Sequence, residues 1–212
     1  MRNWKQMWLV GAAAAVAWAS PAWAAQSSAK LSRSLADGLA QLHGADQGEI
    51  QSGQLAAQNA SSSDVKAFGQ RMVDEHGQND QQLRQLAQTL GVSLEGKAFA
   101  KEQKSAQKTM KSLQGKTGSA FDRAYVSAMV KDHEKDAKDV KKLADQARKD
   151  GQTELASFLD QTGQTIESHL SAAKELQSSE RSAARSAATT TGTGSMGAGT
   201  SGASGTMGGS PK

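Results

Sequence analysis

The chain has 212 residues, 25 Lys or Arg against 21 Asp or Glu, and no cysteine. A disulfide framework, a thiol nucleophile and a cysteine-borne lipid anchor are therefore excluded. The basic excess falls to +2 once Arg2 and Lys5, the sole charges before residue 25, are set aside, which is not the clustered charge of a nucleic-acid surface.

Residues 1–24 read as an export signal. Arg2 and Lys5 form a positive start, an apolar run follows from Met7 to Ala19, and Ala22-Trp23-Ala24 is a small-x-small cleavage site. The run is shorter than the roughly 20 residues that span a bilayer. All four tryptophans (Trp4, Trp8, Trp18 and Trp23) lie in this segment, so a chain cut after Ala24 has none. No later apolar run is long enough for a transmembrane span. The expected location is the periplasm or cell envelope of a bacterium. Residues 25–30 form a short flexible N-terminus.

Residues 31–176 carry the periodicity of an all-α domain. Both prolines, Pro21 and Pro211, fall outside it, and Gln, Ala, Lys, Leu and Glu dominate inside it. The first helical pattern, 32–59, has a stripe of Leu35, Leu39, Leu42, Asp46, Glu49, Gly53 and Ala56 at steps of three and four. Ser61 and Asp64 form a Ser-x-x-Asp start signal for the second, 63–90, whose stripe includes Val65, Phe68, Met72, His76, Asn79 and Leu83. Gly91 stops it. A short polar helix follows at 97–113. The next pattern opens at Ser119-x-x-Asp122 with Phe121, Tyr125, Met129, His133 and Val140 on its stripe, and ends at Gly151. Its other face carries Lys and Asp at spacings of four, a solvated charge pattern. The last pattern, 153–176, has Leu155, Phe158, Thr162, Ile166, His169 and Ala173. Four amphipathic helices with two short connections predict an antiparallel four-helix bundle with one short extra helix between its second and third members. Residues 177–212 are rich in Ser, Gly, Ala and Thr, lack branched aliphatic and aromatic side chains, and read as a disordered tail. Met196 and Met207 are too far apart to argue for copper.

Counted from the two hairpin turns, Glu49, His76, His133 and His169 come level to within about one helical turn, one on each helix. Imidazole nitrogens and a carboxylate suit one divalent ion of zinc, iron or manganese. Asp80, four residues after His76, Asp136, three after His133, and Tyr125, two turns before His133, are the candidates to support those ligands. A hydrogen-bonded layer that sets the register of the bundle and binds nothing satisfies the same residues. Both readings stand at this point. His43 lies off the stripe and is expected at the solvated surface.

The stretch from Glu49 to Gln58, Val65 to His76, Phe121-Asp-Arg-Ala-Tyr125 with Asp132-His133, and Glu167-Ser-His169-Leu together resemble the bacterial exported family called domain of unknown function 4142. The resemblance covers about residues 31–176. It implies a ferritin-like four-helix bundle and no established activity. True ferritin-like di-iron proteins place Glu three residues before their ligating histidines. Here Val73 and Ile166 occupy those places, so one ion held by Glu49, His76, His133 and His169 is favoured over a dinuclear centre. Four protein ligands make a closed site of structural type. The expectation is thus a non-catalytic envelope protein. The alternatives are a ferritin-like handler of metal or oxidants and an envelope interaction module. No Gly-x-Ser-x-Gly elbow or phosphate-cradling glycine loop is present.

Overall fold

The computed structural model describes residues 31–192, with side chains described as far as 186. The expected export signal at 1–24, the residues 25–30 and the part of the expected tail after 192 lie outside the described residues. Within them the chain is all-helical: α1 (Arg33–Asn59), α2 (Ser63–Leu90), α3 (Lys97–Leu113), α4 (Gly118–Lys149) and α5 (Thr153–Gly192), with no strand. No described helix is long and apolar enough to cross a membrane.

The ends of these helices have local causes. Gly91 (φ 65°) and Gly151 (φ 70°) take the left-handed conformation that lets the chain close behind α2 and α4. The amides that follow reach back, Val92 N to Ala87 O at 3.0 Å and Gln152 N to Ala147 O at 2.8 Å. At the start of α2 the expected Ser61 cap is replaced. Ser62 caps the helix by accepting from Val65 N, and Ser61 turns instead to Asp122. Asp122 does not cap its own helix. Its carboxylate accepts the backbone N–H groups of Ser61 and Ser62, each at 2.9 Å, and so ties α4 to the α1–α2 turn. An anionic acceptor for free N–H groups is favourable at a helix start, whichever helix supplies it. The start of α4 itself, at Thr117, has no side-chain cap.

The last helix continues beyond Leu176 to Gly192, where a tail was expected. Between Gly163 and Gly192 the sequence holds neither glycine nor proline, so local propensity permits helix even where little apolar surface is left to bury. Side chains 177–186 are largely exposed.

Helices α1 and α2 pair closely, as do α4 and α5. Residues 43, 46 and 53 of α1 meet residues 80, 76 and 69 of α2, so the two helices run past each other in opposite senses. The approach is tight because a Cβ on Gly53 would stand 2.7 Å from the Gly69 carbonyl oxygen. Helix α3 lies mainly on α1. The apolar core has two parts. One gathers Leu35, Leu39, Leu83, Val140, Leu155 and Leu159. The other gathers Ala56, Phe68, Met72, Phe121, Tyr125 and Met129. Each fully buried large apolar side chain contributes about 1.5–3 kcal/mol, so the two parts dominate the stability of the fold. In the sequence gap between them, on all four helices, the buried residues turn polar.

Candidate metal centre

Asp46 and Glu49 sit three residues apart on the inner face of α1. Glu75, His76 and Asn79 face them from α2, His133 from α4 and His169 from α5. His76, His133 and His169 are 4, 1 and 0 % exposed, and their ring centroids lie 5.0 to 5.5 Å apart. The four residues anticipated from periodicity therefore do meet. Glu49 Oε2 is 3.0 Å from His76 Nε2, and Glu49 Oε1 is 3.1 Å from His133 Nδ1. His133 Nε2 is 3.3 Å from His169 Nδ1.

The outer contacts decide which nitrogen of each ring carries a proton. His76 Nδ1 is 2.8 Å from Asp46 Oδ1, His133 Nδ1 is 3.0 Å from the Met129 carbonyl oxygen, and His169 Nε2 is 2.7 Å from Glu75 Oε2. The Met129 carbonyl can only accept, and ionised Glu75 likewise; burial raises Asp46 against the opposing pull of His76, and in its ionised form it too accepts, so each of those nitrogens donates. In neutral rings this leaves His76 Nε2, His133 Nε2 and His169 Nδ1 as bare lone pairs inside the protein. Two of them face one another, and the third faces a carboxylate. His76 Nε2, Glu49 Oε1 and the Tyr125 hydroxyl are buried without a hydrogen-bond partner. Each such group costs about 1–3 kcal/mol unless a cation or proton meets it.

Histidines that donate one N–H outward and turn the other nitrogen inward are the arrangement of metal-bound imidazoles. The rings of His76, His133 and His169 offer nitrogens within 4.8 Å of one another, and Asp46, Glu49 and His76 form a second such group that shares His76. An ion with ligand bonds near 2.1 Å needs donors roughly 3 to 4 Å apart. The 3.0 Å and 3.3 Å separations meet that requirement within the Glu49–His76 pair and within the His133–His169 pair. These buried clusters can hold a metal ion.

Charge in the layer is unevenly shared. Burial disfavours the ionised Glu49 carboxylate, but His133 and His76 outweigh it and bring its pKa down to about 2. Burial also opposes an imidazolium at His76, yet Glu49 and Asp46 hold that ring well above the ordinary histidine range. Burial lowers His133, and burial with His76 nearby lowers His169 to about 4, so both stay neutral. Without a metal, the layer balances Glu49 with one proton on His76.

The supporting residues differ from those expected. Asp80 does not touch His76. It accepts from His43 Nδ1 at 2.5 Å and from Gln47 at 2.8 Å, and pairs with Arg84. Asp136 does not touch His133 either. It pairs with Lys135 at 2.9 Å, while burial and then Glu49 raise it to about 7. A residue three or four positions on shares the helix face but projects a turn away from the ring. Asp46 and Glu75 act in their place. Asp46 was visible on the stripe, and Glu75 gave no signal, since its partner is 94 residues away. Asn79 steadies Asp46 at 2.8 Å and is itself held by the Thr162 hydroxyl at 2.7 Å. Tyr125 lies at the edge of the layer, and burial and then Glu49 keep its phenol protonated. His43 is not at the solvated surface. It is 7 % exposed, with Phe99 of α3 stacked on its ring at 5.1 Å.

A family model described as a domain of unknown function, DUF4142, matches residues 20–176. The chain belongs to the DUF4142 family. The match takes in every residue of the layer and all of α1 to α4. No curated protein and no solved structure matches the chain.

Proposed function

We propose that this DUF4142 protein is an exported, ferritin-like four-helix bundle that binds one divalent metal ion through Glu49, His76, His133 and His169. The observation that carries the reading is the set of inward-facing groups: the bare nitrogens of His133 and His169, the His76 Nε2 whose proton a cation can displace, and Glu49, with the other nitrogen of each ring given to an outer partner. The bundle reading is supported by α1, α2, α4 and α5, which all feed both halves of the core. The role is structural rather than catalytic. Four protein donors fill a tetrahedral shell, so no position remains for substrate. Nitrogen-rich donors favour zinc, iron or manganese over magnesium or calcium.

The test is metal analysis of untagged protein recovered from the periplasm. About one equivalent of a transition metal per chain is expected, and none in the Glu49→Gln/His169→Ala double variant. Wild-type protein that arrives empty and takes up none of the three ions overturns the reading. Export is supported by the sequence of residues 1–24 and is checked by the same preparation. Its intact mass should begin at Ala25 and show no tryptophan absorbance.

A further inference from the structure

Glu49, one of the proposed ligands, also lines a surface cleft. That cleft, about 30 Å³, lies where α3 crosses α1 and α4, and Glu102, Asp132 and Asp136 line it together with Glu49. Glu49 is 6 % exposed, and its Oε1 has no hydrogen-bond partner. A buried carboxylate oxygen that accepts no hydrogen bond, with His133 Nδ1 beside it at 3.1 Å, thus lines a cleft whose walls carry three more carboxylates.

Two of these carboxylates, Glu102 and Asp136, are paired with a cation of the protein itself. Lys135 Nζ lies 2.9 Å from Asp136, 3.5 Å from Glu102 and 3.6 Å from Asp139. Its side chain is 46 % exposed, so it can swing away into solvent. Helix α3 comes close enough to make the passage because α1 is bare there. A Cβ on Gly48 would stand 2.6 Å from Ala106 Cβ, and one on Gly44 2.8 Å from Glu102 Cβ. On the far side of the layer a cleft lined by Glu75, Asn79 and Thr162 reaches only the groups behind the rings, not a ligand.

We propose that the α1–α3–α4 cleft is the route by which a divalent cation reaches Glu49, with Glu102, Asp132 and Asp136 drawing it in and the Lys135 ammonium closing the mouth until it is displaced. The proposal rests on the reading that the layer binds metal. A narrow acidic passage concentrates cations and raises their rate of arrival, typically by ten-fold or more.

The experiment is stopped-flow uptake of Co2+ by metal-stripped full-length protein, followed by the visible absorbance of the bound ion. Glu102→Gln and Asp136→Asn should each slow uptake several-fold, and the pair by about ten-fold. Lys135→Met should speed it. All should reach the wild-type absorbance at saturation, because the ligands are intact. Asp74→Asn, an exposed charge on α2 bonded to Gln70, should leave the rate unchanged. Gln82→Lys, in the α2–α5 cleft, should also have no effect. Normal rates in Glu102→Gln and Lys135→Met, or slowing by Gln82→Lys instead, overturn the route while leaving the site intact. No cobalt spectrum in wild-type protein overturns the site and the route together.

Discussion

Two histidine–aspartate pairs cross the α1–α2 interface one turn apart, with their roles exchanged. His43 of α1 donates to Asp80 of α2, and His76 of α2 donates to Asp46 of α1. Both pairs are buried, yet their surroundings differ. Asp80 has a second donor in Gln47 and a cation in Arg84, and the His43 ring is covered by Phe99. That pair is complete and acts as a clasp. The Asp46 pair is supported by Asn79, but its ring turns inward to Glu49 and two more imidazoles. Its charge is balanced only when a proton or a metal enters. The same two residue types thus make a structural pair or part of a binding site according to what stands behind the ring.

The comparison is broken most severely at Asp80. Asp80→Ala leaves the donors of His43 and Gln47 without their acceptor, while Arg84, 58 % exposed, turns to solvent, at a cost of about 3 kcal/mol. Urea denaturation should show this loss equally with and without metal. A loss that appears only in metal-loaded protein would mean that the clasp belongs to the site.

The next effect is the metal itself. At a concentration 100 times the dissociation constant, an ion that binds only the folded chain adds about 2.7 kcal/mol. His133→Ala and His169→Ala should erase the added thermal stability, and His43→Ala should lower the baseline while keeping the increment. Retention of the increment in His169→Ala would contradict the assignment of ligands.

Burial, and after it the charge of Glu49, raises Asp136 to a folded pKa of about 7, above the ordinary value of 3.8. Between these two values the folded chain holds a proton that the unfolded chain lacks, so this group makes stability fall as pH rises. Asp136→Asn should remove that slope. Denaturation midpoints of wild type and variant are then expected to diverge from pH 4 to pH 8, the wild type losing ground. Parallel midpoints would show that the Asp136 carboxyl is not raised in the folded chain.

The smallest effects compare two glycines. Gly48→Ala drives a methyl into Ala106 and should cost about 1–3 kcal/mol by displacing α3. Gly77→Ala meets nothing within 4 Å and should stabilise α2 by about 0.5–1 kcal/mol. Opposite signs in the two melting curves confirm that α3 docks on bare backbone.

Much of this molecule was legible in the sequence. The stripes located α1 to α4, and level counting from the turns brought Glu49, His76, His133 and His169 together. Both work because a helix has a fixed rise and a fixed angular step. The supporting residues were legible only where they shared a stripe, as Asp46 and Asn79 do. Glu75 and His169 meet across two helices far apart in the chain, and no local period reports such a contact. His43 was misplaced for a related reason. Whether an off-stripe residue is solvated depends on where a neighbouring helix lands, and α3 lands on it through Phe99. Asp122 shows the same limit, since its position suggests a cap for α4 while its carboxylate serves the start of α2.

By itself, then, the sequence determined the helices, the polar level within them and the residue types that meet there, because these follow from periodicity along one chain. Tertiary structure decided which nitrogen of each histidine is free, which aspartates are already satisfied and which side of the layer opens to solvent. Those choices depend on hydrogen-bond direction and on the packing of elements distant in sequence. A separation of a few tenths of an ångström, or the turn of a ring, distinguishes a closed ion pair from a site that can still take a cation.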